Sequence, residues 1–267
     1  MDILIAGLGI SPSEHLTAET ERCLRQCREV LYLDTGPVTK ALLERLVPVA
    51  TPLYAQAYVP GRPRLSGYHL MAARVVEAAL DRGPVAFAVQ GHPLVYVHAP
   101  VLIRRMAQAL GLEVRLLPAI SSLDTLFAEL WLDPASEGLQ VYEATDLLLR
   151  RRPLQPDVPA LIWQVGNLET RLHTTRRSRP ERLRRFVDHL AQWYPLDHKV
   201  TVYFSSPHPL VQTLAEVVAL GELASIAGAL HPGVTLYLPP VQRRPVVDVA
   251  LLAQLDDPAH LERITQG

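Results

Sequence analysis

Apolar residues in the first 118 positions come in short unbroken runs, separated by longer stretches with helical spacing. Asp2–Leu8, Val30–Leu33, Val49–Leu53, Val85–Val89 and Glu113–Leu117 are of strand length and are bounded by Gly, Pro or charge. Unbroken apolar runs of this length predict strands buried on both faces, as in a parallel sheet. Helices are predicted from Ser11 to about Glu29, over Val38–Leu46, from Leu70 to about Asp81, and over Val97–Leu110, with a turn at Thr35–Pro37. The order βαβαβ…βαβ implies a sheet covered by helices on both faces, with right-handed crossovers.

The pattern changes after Pro118. A helix is predicted from Ile120 to about Leu130. Strands are predicted at Leu139–Ala144, Ala160–Val165, Val200–Phe204 and Val234–Leu238. Further helices are expected at Arg182–Tyr194, Thr213–Leu223, Val246–Leu255 and Pro258–Ile264. The chain carries no internal repeat and no low-complexity segment. Its two α/β domains are expected to be 1–118 and 119–267, with the seam near Pro118–Ser122.

Composition narrows the class. At 267 residues, 49% hydrophobic and 20% charged, the chain can bury a substantial core. A net charge of -1 gives no global field toward nucleic acid or acidic lipid, so neither is expected as a partner. Cys23 and Cys27 read as free thiols on one helix face, which fits a reducing, cytoplasmic compartment; two cysteines make no zinc site unaided, and no metal is expected. The opening MDILIAGLGI lacks a basic region and is too short to span a bilayer, and no later run reaches spanning length.

Candidate chemistry clusters at a few turns. The Val85–Val89 run breaks into Gln90-Gly91-His92-Pro93, and a turn at the carboxyl end of a parallel strand is where open α/β sheets place ligands; an ordinary βα loop is the plain alternative. Gly7 and Gly9 form a similar turn, without the third glycine of a dinucleotide fingerprint. Tyr54, Tyr58, Arg62, Arg64 and Tyr68 fall in a stretch that its prolines and glycines mark as a loop. Hydroxyls beside a guanidinium fork can hold a developing oxyanion, or the tyrosines can simply pack on a helix. Ser121 or Ser122 can cap the next helix and face a carboxylate. Arg150–Arg152 and the run Arg171, Arg176, Arg177, Arg179, Arg182, Arg184, Arg185 suggest an anionic partner or a solvated face.

Several blocks together resemble the tetrapyrrole methylase superfamily: GLGISPSEHLT (Gly7–Thr17), QGHPLVYV (Gln90–Val97), LPAISSLD (Leu117–Asp124), YEATD (Tyr142–Asp146), LIWQVGN (Leu161–Asn167) and TLYLPP (Thr235–Pro240). The blocks run in order over almost the whole chain. The resemblance implies two α/β domains, with a mainly parallel N-terminal sheet and a mixed C-terminal sheet. It also implies S-adenosylmethionine in the interdomain cleft, S-adenosylhomocysteine as product, and a homodimer.

Within the superfamily, Ile10-Ser11-Pro12 and Gly91-His92-Pro93 depart from the cobalamin- and porphyrin-pathway enzymes. The Gly-His-Pro turn, Tyr-Glu-Ala-Thr-Asp, the Gln-Val-Gly strand and the Tyr58…Arg64…Tyr68 spacing resemble the borosin peptide α-N-methyltransferases. Those enzymes methylate backbone amides of a ribosomal precursor peptide, often fused to their own C-terminus. The sequence runs 27 residues past Pro240, so the expectation is a stand-alone, split-type enzyme acting in trans on a separate precursor.

By this resemblance Tyr58, Arg64 and Tyr68 are catalytic. Gln90, Gly91, His92, Val95 and Tyr96 contact the cofactor after the central strand. Ser121 and Ser122 sit at its carboxylate or near the sulfonium, and Gln164, Tyr203, Phe204, Thr235 and Leu236 line the adenine side. Gln90 stands where borosins usually carry a tyrosine. The alternatives are a tetrapyrrole or other small-molecule methyltransferase, and a cofactor-binding relative without turnover.

Overall fold

The computed structural model describes residues 1–33, 36–208 and 210–266. Thr35, the first residue of the expected turn before Pro37, lies outside them. The first half runs β1 (Ile3–Gly7), α1 (Pro12–His15), α2 (Ala18–Leu24), β2 (Glu29–Tyr32), α3 (Pro37–Leu46), β3 (Val49–Pro52), α4 (Tyr54–Ala57), α5 (Arg64–Arg82), β4 (Val85–Val89), α6 (Ala99–Ala109) and β5 (Val114–Leu117). Its strands form a sheet in the order β3-β2-β4-β1-β5, every pairing parallel.

The reason the strands read as unbroken apolar runs is visible in the packing. Ile3 and Ile5 of β1, with Val85, Phe87 and Val89 of β4, join the core under α5 and α6. Leu4, Ala6, Ala86 and Ala88 alternate with them and pack on the other face, with Cys23 and Leu24 of α2, Leu43 and Leu46 of α3, and Cys27 in the turn between α2 and β2. Cys23 and Cys27 are buried free thiols.

The second half runs α7 (Ser122–Leu130), α8 (Pro134–Glu137), β6 (Gln140–Glu143), α9 (Ala144–Leu149), β7 (Ala160–Trp163), α10 (Arg184–Leu190), β8 (Lys199–Phe204), β9 (Leu214–Ala219), β10 (Thr235–Leu238), α11 (Val249–Gln254) and α12 (Pro258–Ile264). Short 3-10 segments lie at Val165–Asn167, Pro180–Leu183 and Leu220–Ala229. The sheet order is β6-β7-β10-β8-β9, parallel between β6 and β7 and antiparallel elsewhere. The parallel first sheet and mixed second sheet are as expected. We propose that the domains part between Leu117 and Ser122, the stretch joining the two sheets. No helix among the described residues is long and apolar enough to cross a membrane.

Some expectations are corrected. The helix expected at Thr213–Leu223 is β9 followed by a 3-10 segment. Leu214, Val217 and Val218 have helical spacing, but a full antiparallel ladder from Lys199↔Ala219 to Phe204↔Leu214 overrides it. The single helix from Ser11 is split at Thr17, whose Oγ1 accepts from the Thr20 N–H at 3.1 Å and caps α2. The expected loop Tyr54–Tyr68 holds α4 and the first turn of α5. The break is confined to 58–63, and Pro63 sits directly before the first residue of α5. The helix expected at Arg182–Tyr194 is shorter, beginning as 3-10 turns and ending at Leu190.

Candidate active site

Strand order reverses between β1 and β4, so the loops after them lie side by side at the carboxyl edge of the sheet. That is the position where such sheets open a ligand crevice. The Gly91 N–H donates to the Gly9 carbonyl at 2.8 Å, and the exposed Gln90 donates through Nε2 to the Ile10 carbonyl at 3.1 Å. Gly7 lets the loops meet, since a Cβ there would overlap the Gly91 carbonyl and the Ala119 methyl. His92 ties its own turn, Nδ1 accepting from the Leu94 N–H at 3.1 Å; the Val95 N–H donates to the His92 carbonyl.

Tyr96 is left-handed, with φ 59°, and its ring meets Trp163 edge-on at 4.1 Å. Trp163 lies on β7, so this contact joins the two halves of the chain. Burial, with Glu143 and Asp146 nearby, pushes the Tyr96 hydroxyl above the ordinary phenol range.

Glu143, Trp163, Thr235 and Tyr203 are register partners across β6, β7, β10 and β8, so they form one row on one face of the second sheet. The indole N–H of Trp163 is buried without a hydrogen-bond partner among the described residues. Tyr203 continues toward α7: its hydroxyl is 2.8 Å from Ser205 Oγ, which is 2.5 Å from Thr125 Oγ1. Leu236 and Phe204, each one residue along its strand, turn to the opposite face and pack into the core with Ile162 and Val202. Strand alternation therefore separates Tyr203 and Thr235 from Phe204 and Leu236. Gln164 is left-handed, with φ 60°, and accepts from Asn167 Nδ2 at 3.2 Å.

Ser121 is committed to a cap. Its N–H and Oγ both donate to Asp124 Oδ2 at 2.6 Å, and Oγ accepts from the Leu123 N–H. Ser122 opens α7, half-buried. Ser121→Ala is expected to lower stability by about 1 kcal/mol, the usual loss of a cap, in chemical denaturation.

Between Ile10 and Ser11 on one side, and Thr125 and Ser205 on the other, lies a cleft of about 560 Å³. That is within the range of small-ligand sites. Hydroxyls of Ser11, Thr125, Ser205 and Ser206 line this cleft together with Glu14 and Glu129; the orphaned Trp163 donor, outside the cleft lining, is the buried polar atom that fits a polar nucleoside cofactor. None of the residues expected to hold the cofactor lines this cleft itself, although Gln90 bonds to Ile10 and Tyr203 to Ser205 in its lining.

Tyr58, Arg64 and Tyr68 are brought together by α4 and α5. A Cβ at Gly67 would overlap the Ala57 carbonyl, so the two helices touch there, next to Tyr58 and Tyr68. The Tyr58 and Tyr68 rings are 6.2 Å apart and nearly perpendicular. His173 stands 5.2 Å from Tyr58, and His98 stands 5.8 Å from Tyr68. Arg64 reaches across to the second half, donating through Nη2 to the Thr170 carbonyl at 2.9 Å and through Nη1 to the Leu172 carbonyl at 3.3 Å. Backbone pairs Gly61–His173, His173–Arg62 and Arg64–Arg171 lace the same segments. These are the hydrogen bonds that the Arg64 side chain makes among the described residues, so they use two of its five N–H groups.

Burial, reinforced by Tyr68, drives the Tyr58 hydroxyl far above the phenol range, against the pull of Arg64. Burial and the Arg64 charge lower the His173 pKa, which keeps its imidazole neutral near pH 7. Trp163, His173, Thr125 and Ser205 join the site without having been singled out from sequence. Trp163 stands inside the LIWQVGN block; the others carry no local signal, because what places them is contact between distant segments.

Solved structures share this architecture. The methyltransferase CobJ superposes with a TM-score of 0.65 at 16% identity, covering 91% of this chain and 96% of that one. The uroporphyrin-III-C-methyltransferase from Thermus thermophilus gives 0.63 at 16%, covering 90% and 94%. The fold is thus that of the two-sheet α/β methyltransferases. Residues 2–206 match the Tetrapyrrole (Corrin/Porphyrin) Methylases, and the chain belongs to that family.

Curated relatives include a methyltransferase/ribosomally synthesized type I borosin cyclic peptide precursor from Serendipita vermifera subsp. bescii. It is 31% identical over 96% of this chain and 62% of its own length. The omphalotin A precursor protein of Omphalotus olearius is 28% identical over 91% of this chain and 58% of its own length. The chain thus spans about three-fifths of the length of these relatives.

Proposed function

We propose that this chain is an S-adenosylmethionine-dependent methyltransferase that methylates backbone amide nitrogens of a separate, ribosomally made precursor peptide, as a cytoplasmic homodimer. The observation that carries the reading is the Tyr58–Arg64–Tyr68 group, anchored by Arg64 to two carbonyls of the 170–172 segment. The names of the borosin relatives support a peptide as substrate.

S-adenosylmethionine supplies, when bound, an electrophilic methyl group on sulfonium. We assign its binding to Gly91, His92, Val95 and Tyr96 after β4, to Ser122, and to Gln164, Thr235 and Tyr203 on the second sheet. Gln90 and Ser121 act by holding the loops that carry them.

The acceptor is the difficult partner, because the amide nitrogen lone pair is delocalised into its carbonyl. Arg64 stabilises the negative charge that the carbonyl oxygen gains as the N–H proton leaves, an oxyanion-hole role commonly worth about 3 kcal/mol. Tyr58, held protonated by burial, serves as a hydrogen-bond donor to that oxygen. Tyr68 takes up the amide proton, directly or through water, as the phenolate left once its own hydroxyl proton has passed to solvent. Fixing the peptide against these groups supplies further acceleration through orientation.

The test is release of S-adenosylhomocysteine by the purified enzyme, offered in turn short peptides encoded beside its gene and a uroporphyrin-type tetrapyrrole. Release with a peptide alone is the expected result. Release with the tetrapyrrole alone would overturn the peptide reading.

A further inference from the structure

The guanidinium groups of 150–152 and 171–185 have no assigned part in the site described above, in a chain whose net charge is only -1. The fold brings part of both groups to one place. A cleft of about 800 Å³ lies between α9, α10 and the 169–171 segment, lined by Arg151, Arg171 and Arg185 and by Leu148, Leu149 and Trp193.

The arginines facing the cleft are the weakly paired ones. Arg150 and Arg152 are both bound by Asp146, at 2.6 and 2.7 Å. Arg151 and Arg171 have no carboxylate in reach among the described residues, and Arg185 has only Glu169 at 3.6 Å. Leu149 keeps 66% of its surface exposed on the same wall. Unpaired guanidinium groups above an apolar wall suit a ligand that carries carboxylates and aliphatic side chains together. Glu169 and Asp188 also line the cleft and repel any anion alike, so the preference for a peptide over a nucleic acid rests on the apolar side chains of Leu148 and Leu149.

The cleft shares one segment with the Tyr58–Arg64–Tyr68 group. The same short segment supplies its wall at Glu169, Thr170 and Arg171 and the carbonyls of Thr170 and Leu172 that hold Arg64.

We propose that this cleft docks an acidic, leucine-bearing segment of the precursor peptide outside the residues that are methylated, holding the substrate in trans beside Arg64. The proposal rests on the peptide reading given above. Its test measures binding without turnover, so the two can fail separately.

The probes are a fluorescein-labelled synthetic peptide of alternating Glu and Leu, its Lys-Leu counterpart, and an oligothymidylate of equal length, each titrated with the full chain by fluorescence anisotropy. The Glu-Leu peptide is expected to bind saturably, more tightly than either other probe, and to weaken as salt screens the guanidinium charges. Arg151→Glu with Arg185→Glu should weaken it by about tenfold or more, while Arg104→Glu with Arg105→Glu on α6 changes the net charge equally and should leave it within about twofold. Retained S-adenosylhomocysteine binding certifies the fold. If the reversed pair does not fold, Arg151→Gln with Arg185→Gln should give a smaller loss in the same direction. Absence of saturable binding, an equal loss in the α6 variant, no loss in the cleft variant, or tighter binding of the oligothymidylate would each overturn the proposal.

Discussion

Replacing Arg64 with alanine is expected to abolish methyl transfer while leaving cofactor affinity within about tenfold, or roughly 1.4 kcal/mol. The guanidinium has two tasks on one scaffold. Toward the substrate it supplies charge where the carbonyl oxygen becomes negative, and loss of such a donor commonly lowers the rate by about two to three orders of magnitude. Toward the protein it spans to the Thr170 and Leu172 carbonyls and ties the start of α5 to the second half. Arg64→Lys keeps the charge but cannot reach two carbonyls with a planar fork while presenting further donors, so it should recover little of the rate. Tyr68→Phe should remove turnover by a different route, since the ring still packs on Tyr58 and His98 but offers no oxygen to the leaving proton. Single-turnover rates beside calorimetric affinities separate these effects. Wild-type turnover in Arg64→Ala or in Tyr68→Phe would remove that residue from the reaction.

Gly67→Ala is expected to damage both stability and turnover, against the intrinsic preference of a helix. In an exposed helix interior this change would stabilise by about 1 kcal/mol. Here the added methyl overlaps the carbonyl oxygen of Ala57, a backbone group that cannot rotate away. α4 must lift from α5, and Tyr58, the residue directly after α4, lifts with it away from Tyr68 and His173. Overpacking of this kind typically destabilises by about 1–3 kcal/mol. Chemical denaturation and turnover should fall together. A stabilised, fully active variant would show that the contact does not position the tyrosines.

These two residues also show what the sequence makes legible and what it does not. β1 and β4 could be read directly because burial on both faces leaves an uninterrupted apolar run. β9 could not: Leu214, Val217 and Val218 satisfy the helical period, and only the ladder with β8, a non-local partner, decides for strand. The start of α5 was hidden by Pro60, Gly61 and Pro63, which read as loop until Pro63 is seen to be the residue before its first turn. Tyr58, Arg64 and Tyr68 stand out locally as hydroxyls beside guanidinium groups, but that pattern equally fits tyrosines packed on a helix, and only the family resemblance separates them from Tyr54 and Arg62. His173 was invisible for the same reason that it matters: it reaches Tyr58 from more than a hundred residues away, a separation near that of the Arg64–Thr170 contact. The division of Tyr203 and Thr235 from Phe204 and Leu236 was legible in principle, because neighbours on a strand face opposite ways.

The central claim is methylation of peptide backbone nitrogen, and the most direct measurement is tandem mass spectrometry of short peptides encoded beside this gene after co-expression with the enzyme. The account predicts intact-mass increments of one methylene per methylation, with fragment ions placing each on a backbone nitrogen rather than on a side chain or terminus. No increment on any such peptide, with S-adenosylmethionine binding confirmed by calorimetry on the same preparation, would contradict it.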